Sequence, residues 1–218
     1  MSEINATQGR RYRGASAVHR QELRREKILS AALELIGGEG LKAATVRAVC
    51  ARAELTQRYY YESFENAEDL LIAVYEQQWQ YLAESLQAAI AHAPQEPVSM
   101  ARAALAAVFA HLRANPHGAR VLFLEVLGVS GRVDRAYRQG SQRMIELVVG
   151  QATPLLPQPT VEGLDAQLQG GAIVGAVIFV AMNWILSNYA TPEEVLVDNL
   201  MVLAASVIEG MQGHRSST

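Results

Sequence analysis

The sequence predicts an all-α protein of about nine helices, a short three-helix head followed by a larger helical body. Three observations carry this. Apolar residues recur at three- and four-residue spacing through most of the chain, and no segment alternates long enough to form a sheet. Ala, Leu, Val and Glu abound while aromatic residues make up 6%, a composition that favours helix over strand. Half of the 218 residues are apolar, enough to bury a sizeable core.

Residues 1–20 read as a flexible basic arm. They contain Gly9 and Gly14, show no helical period, and carry Arg10, Arg11 and Arg13. A first helix is expected from about Gln21 to Ile36, with Ile28, Ala31, Ala32, Leu35 and Ile36 on one face and Gly37, Gly38 and Gly40 stopping it. Thr45 can accept an orphan backbone N–H and so opens a short helix, Val46 to Arg52, with Val49 facing inward. Leu55 lies in a tight connection, and Thr56 caps a third segment, Gln57 to Ser63. These elements make residues 21–66 a head and residues 67–212 a body, with 213–218 as a disordered tail.

Asn66 caps a long helix, Ala67 to about Ala91, whose buried stripe is Leu71, Val74, Tyr75, Leu82, Leu86 and Ile90. Pro94 and Pro97 end it. Further helices are expected at about Ser99–Ala114, Pro116–Val129 and Arg132–Gln151, punctuated by Asn115-Pro116 and Gly131. The proline-rich stretch from Pro154 to Pro159 is a linker. Two helices close the chain, at about Val161–Asn188 and Pro192–Gln212, the second opened by Thr191, Pro192 and Glu194 as a capping box.

Charge is distributed unevenly. Residues 1–62 hold 11 Lys and Arg against 7 Asp and Glu, a net of +4, whereas the rest of the chain carries a net of −7. Such a split directs any polyanion to the head. One cysteine, Cys50, rules out an intramolecular disulfide and fits a reducing cytoplasm, and Met1 to Gly9 hold no apolar signal segment.

Three short helices, the second and third joined tightly, have the size and order of a helix-turn-helix unit. Its third segment reads Thr56-Gln57-Arg58-Tyr59-Tyr60-Tyr61-Glu62-Ser63-Phe64. Gln can pair with adenine and Arg bidentately with guanine, while Thr can bond a phosphate or touch a thymine methyl. Tyr hydroxyls commonly reach phosphates. Of the three tyrosines one or two pack inward, Tyr60 being the one expected to do so.

The stretch from Ile28 to Leu71 resembles the DNA-binding domain of tetracycline-repressor-like (TetR family) regulators. The matching residues are Ile28-Leu29, Ala31-Ala32 and Gly40, then Thr45 to Cys50, then Ala53 to Thr56, then Tyr61, Phe64, Glu68 and Leu70. The resemblance implies that Thr45 and Tyr61 contact phosphate and that Arg47, Thr56, Gln57, Arg58 and Tyr59 are the candidates for reading bases. Val49 and Phe64 belong to the core. Two positions depart from the family pattern. Glu54 stands where glycine is usual, which strains the backbone if φ is positive there. Ala67 replaces a common lysine, which removes one phosphate contact and weakens affinity without altering sequence preference.

In the body, no charged residue occurs between Ala166 and Pro192. Along the last helix Leu196, Leu200, Leu203 and Val207 form one apolar row, and Val197, Met201, Ala204 and Ile208 another. Two apolar faces need two partners, one of them a second copy of the chain. The expected interface residues are Ile173, Val177, Trp184, Leu196, Leu200, Leu203 and Val207, with Gly170, Gly171 and Gly175 allowing close approach. The resemblance implies the same two-fold four-helix contact. A membrane span is disfavoured: Gln167, Gln169, Asn183 and Asn188 interrupt the apolar run and no cation flanks it.

Helices between 67 and 189 are expected to surround an effector cavity. Its candidate lining is Trp79, Phe109, Phe123, Met144, Phe179 and Met182, with Trp184 beside them and His111, Glu125 and Asn183 as polar handles. That mixture suits an apolar or amphipathic small molecule. No His or Cys pair has metal-binding spacing, no nucleophile motif surrounds Cys50, and Gly37 to Gly40 follows a helix rather than a strand. Neither catalysis nor a cofactor is therefore expected. The sequence points to a dimeric DNA-binding regulator, most simply a repressor of a palindromic double-stranded operator released by a small molecule, with a helical protein-interaction adaptor as the alternative.

Overall fold

The computed structural model describes residues 4–152 and 165–212. Every element among them is helical. In chain order these are α1 (Ile4–Glu39), α2 (Val46–Ala53), α3 (Gln57–Tyr61), α4 (Ala67–His92), α5 (Pro97–Ala114), α6 (Pro116–Arg120), α7 (Gly131–Ala152), α8 (Ala166–Leu186) and α9 (Glu193–Gln212). A single 3₁₀ turn, Leu41–Ala43, links α1 to α2. The chain divides into two compact units, up to Val74 and from Tyr75 onward, so that α4 contributes to both.

In the N-terminal unit, α1 packs on α2 and α3. Ile28, Ala32, Leu35 and Ile36 from α1 meet Val49 and Cys50 from α2 and Tyr60 from α3, all buried. Gly40 ends α1 at φ 90°, a conformation open to glycine but rare for other residues. Thr45 caps α2 by accepting the Ala48 N–H at 3.2 Å, and Asn66 caps α4 by accepting that of Asp69 at 2.9 Å. Thr56 occupies the cap position of α3 with extended backbone, yet its hydroxyl makes no capping bond. One expectation is overturned here. The segment read as an irregular arm belongs to α1, which begins at Ile4. No proline interrupts it, and Gly9 and Gly14 each cost only about 1 kcal/mol against alanine, too little to break a helix.

In the C-terminal unit α5 packs along α9, α7 along α8, and α8 also meets α9. The core includes Leu82, Leu86, Phe109, Leu112, Val126, Trp184, Leu200 and Met201. Pro97 opens α5 instead of ending α4. Its missing N–H is one the first turn leaves unpaired in any case, and its fixed φ suits a helix start. The helix expected from Pro116 to Val129 stops sooner. After Arg120 it widens into a π turn, Val121–Glu125, and Gly128 then reverses the chain at φ 70°. The wider turn brings residues five apart together, and Arg120 Nη2 donates to Glu125 Oε1 at 2.7 Å. Asp165 caps α8 by accepting the N–H groups of Gln167 and Leu168, so α8 starts later than residue 161. The proposed proline linker and the last six residues fall outside the described residues.

The corner between α8 and α9 is held unusually hard. Asn188 and Tyr189 both have positive φ, 54° and 59°. The Trp184 indole N–H donates to the Thr191 carbonyl at 2.7 Å, and Arg113 pairs with Glu193 at 2.5 Å while its guanidinium lies over the Trp184 ring. These contacts offset two backbone conformations that side-chain-bearing residues rarely adopt.

Candidate functional site

The link between α2 and α3 aims α3. Glu54 adopts φ 57° and ψ 40°. Its N–H bonds the Ala51 carbonyl at 3.3 Å, and the Leu55 N–H reaches Cys50 O at 2.9 Å. This pair of bonds is a Schellman closure with a glutamate in the left-handed position that glycine usually fills. The strain anticipated from the sequence at Glu54 is therefore present.

Tyr60 anchors α3. It is buried between the Tyr61 and Phe64 rings, and its hydroxyl donates to the Asn66 carbonyl at 3.3 Å. Burial pushes its phenol up to about 12, with the neighbouring Tyr61, Cys50 and Asp69 acting in the same direction. With Tyr60 inward, the helical period turns its neighbours outward. Thr56, Gln57 and Arg58 are exposed, and Tyr61 keeps 58% of its surface. Thr45 and Arg47, at the start of α2, are exposed as well. Tyr59 differs from these. It is half-buried beneath the Arg24 guanidinium, 4.4 Å from its ring centroid.

A small charge network steadies the segment. Glu62 forms ion pairs with Arg58, Nε at 3.3 Å, and with Arg24, Nη2 at 3.5 Å. Arg58 itself remains 84% exposed, so the pair costs it little freedom to meet another acceptor. Arg24 was not among the expected site residues, because its role depends on a contact between α1 and α3 that sequence spacing does not reveal. Cys50 is buried, and burial pushes its thiol up rather than down. The nearby Arg47 and Arg52 do not activate it.

The C-terminal unit contains two adjoining cavities, of about 110 Å³ and about 120 Å³. Each far exceeds the roughly 10–15 Å³ that one water needs. Trp79, Phe123 and Met144 line the first cavity as expected from sequence. The other expected lining residues lie elsewhere. Phe109 is buried edge-on against Trp184, with centroids 5.4 Å apart. His111 is half-buried, with its pKa lowered by burial. Glu125 is turned to Arg120. Met182 is half-buried outside both cavities, Asn183 is exposed with its amide donating to Phe179 O, and Phe179 is 68% exposed. A helical period gives a residue's angle around its helix but not which neighbour covers it, and these side chains share α5, the π turn and α8 with true lining residues.

The expected dimer residues also redistribute. Trp184 is 2% exposed and Leu200 is buried, both inside the unit's own core. Ile173 and Val177 line the first cavity and Val207 the second. Leu196 is half-buried, and Leu203 alone of the set is exposed. The outward apolar stripe is instead Leu168, Phe179 and Leu186 on α8 with Val195, Val202 and Leu203 on α9. Gly170 serves an internal contact, since a Cβ there would meet Val149 Cγ2 of α7 at 2.6 Å. By length and composition α8 is apolar enough to cross a membrane. Its inner face, however, carries Val174, Ala181, Trp184 and Ile185 into the protein core. Among the described residues no cluster of His, Cys, Asp and Glu gathers as a metal site.

Comparison with known proteins places these observations. The family model described as bacterial regulatory proteins, tetR family, matches residues 28–74. No curated protein sequence matches the chain. Among solved structures it is similar to the transcriptional regulator FadR from Bacillus subtilis in complex with stearoyl-CoA, at a TM-score of 0.72 and 19% identity over 85% of this chain and 98% of that one. FadR from Bacillus halodurans gives 0.70 and 19% over 84% and 99%. A TetR-family transcriptional regulator from Syntrophomonas wolfei gives 0.73 and 16% over 90% and 99%. At these identities the likeness is one of fold.

Proposed function

The chain is a member of the TetR family of bacterial regulatory proteins through its residues 28–74, and on that premise we propose that it is a dimeric, ligand-responsive repressor of a palindromic operator. The observation that carries the reading is the exposure of Gln57 and Arg58 at the start of α3 while Tyr60 is locked inward. Two side chains able to pair with adenine and guanine then stand exposed to solvent on a helix of fixed orientation. In this reading residues 21–66 are the DNA-binding head and residues 67–212 the effector and dimer body. Thr45 and Tyr61 bind phosphate, and Arg47, Thr56, Gln57 and Arg58 read base edges. Tyr59, held under Arg24, supports α3 more than it reads DNA.

The apolar stripe of α8 and α9 supports a two-fold partner. Large exposed side chains such as Phe179 and Val202 are costly in water, and a four-helix contact with a second copy buries them. Pairing gives two heads, which must stand about 34–36 Å apart to meet successive major grooves. The cavities of the body suit an apolar or amphipathic effector, a class that includes the stearoyl-CoA bound by the Bacillus subtilis relative. An effector favouring a head spacing unsuited to the operator lowers DNA affinity by the same coupling free energy that DNA exerts on effector binding. Double-stranded DNA and a small molecule are then its partners, in the cytoplasm, with no catalysis required.

Titration of the purified protein against DNA from its own promoter region, at fixed salt, tests the reading. Specific binding should exceed that to random duplex by about 10³-fold or more. Equal affinity for both would refute it, and failure of every compound to release the operator would remove the effector.

A further inference from the structure

We infer that the two cavities of the C-terminal unit form one elongated channel for a single unbranched aliphatic chain, with a neck at Ala101, Ala104 and Ala204. The inference rests on the effector reading above and adds the shape of the ligand and the residues that measure it.

The same five side chains, those three alanines with Val148 and Ile173, line both cavities. A residue facing two cavities separates them by no more than its own width, and an alanine methyl is the smallest side-chain partition. The second cavity is also displaced from the first along every shared helix. On α5 the lining passes from Val108 through Ala104 and Ala101 to Pro97, on α7 from Tyr137 to Gln151, and on α8 from Ile178 to Ala166. The hollow therefore follows the helix axes. From Tyr137 to Gln151 it spans about 21 Å at 1.5 Å per residue.

The chemistry of the walls selects the occupant. Neither lining contains a charged residue. The Tyr75 and Ser141 hydroxyls both donate to the Tyr137 carbonyl, at 3.4 Å and 3.1 Å, so these donors are already engaged. In the second cavity the polar side chains are those of Gln151 and Gln169. A polyhydroxylated or zwitterionic body inside would lose its hydration without replacement. An alkyl chain loses nothing by desolvation and threads a narrow passage, with any polar end left outside the apolar stretch.

Calorimetric titration with octanoate, dodecanoate and hexadecanoate, below their micellar concentrations, reads the channel directly. The wild-type affinity should rise with length by up to about fourfold per methylene, since each buried CH₂ contributes about 0.8 kcal/mol. Ala104→Leu places an isobutyl group in the neck. It should abolish the gain from octanoate to hexadecanoate, read as the ratio of the two affinities within the same variant. Ala101→Leu, at another half-exposed wall position, should do the same and serves if the first variant unfolds, with circular dichroism checking both. Affinity that stays flat beyond octanoate in the wild type, folded neck variants that keep the full length dependence, or no binding of any of the three overturns the channel. If octanoate binds and releases the operator while longer chains gain nothing, the channel falls but the effector reading stands. If chains bind with the expected length dependence yet never weaken operator binding, the effector reading falls instead.

Discussion

Glu54→Gly should stabilise the N-terminal unit more than Glu54→Ala does. Glu54 is exposed and stands at φ 57°, ψ 40° between α2 and α3. For a residue with a Cβ that conformation costs about 1–2 kcal/mol. Glycine adopts it freely but brings more disorder to the unfolded chain, which returns about 0.4–1 kcal/mol. The net gain of glycine over alanine is then about 0.5–1 kcal/mol, or a few degrees of melting temperature for a unit of this size. Both substitutions remove a carboxylate from the C-terminal end of α2, where the helix dipole disfavours it by about 0.3–1 kcal/mol, so that term cancels in the comparison. Thermal unfolding by circular dichroism gives the overall shift, and hydrogen exchange at the Glu54 and Leu55 amides, whose bonds close the turn, localises it. Both variants should raise affinity for every DNA sequence alike, because a negative charge leaves the neighbourhood of α3. Equal stability of the glycine and alanine variants would refute the strain argument. A DNA effect in the glycine variant alone would refute the charge argument.

Arg58→Ala should cost about 1–3 kcal/mol at one operator position and relax the base preference there, whereas Tyr61→Phe should weaken all duplexes equally; a binding-site selection with each variant checks the sorting. Gly170→Val should destabilise the body by about 1–3 kcal/mol in urea unfolding, because the stiff Val149 side chain blocks the new carbon. Gly175→Ala, with nothing within 4 Å of its Cβ, should leave that fold intact. His111 has its pKa held below 6.5 by burial. The unfolded chain therefore takes up the proton first as pH falls through 6.5, and the stability this group contributes above that value is lost progressively toward its lower folded value. His111→Asn should flatten the fall in stability seen in wild type as pH drops below about 6.5. Phe179→Glu combined with Val202→Glu should give a monomer by sedimentation and weaken operator binding, since both side chains are about two-thirds exposed on the stripe assigned to the second copy.

Much of the head was legible because its signals are local. Capping by Thr45 and Asn66 depends on a side chain and an amide three residues away. The burial of Tyr60 and Phe64 follows from helical period and the position of α1, and the strain at Glu54 from the family's glycine. The body was legible only as helices. Its pocket and outward face depend on which neighbour each helical stripe meets. Ile173 and Val177 therefore turned out to line a cavity, Trp184 to stack on Phe109, and Phe179 to lie on the surface. The π turn after Arg120 shifted Glu125 by a fraction of a turn, enough to pair it with Arg120.

By itself, then, the sequence determined the helical class, the caps and breaks, and the residues of α3 that face away from the core, because period, propensity and hydrogen-bonding reach act over a few residues. Tertiary packing alone decided the shape of the cavities, the stripe that faces outward and the clamp of Arg24 on Tyr59. Those depend on distances between side chains far apart in the chain, where volume and helix approach, not spacing, determine what touches.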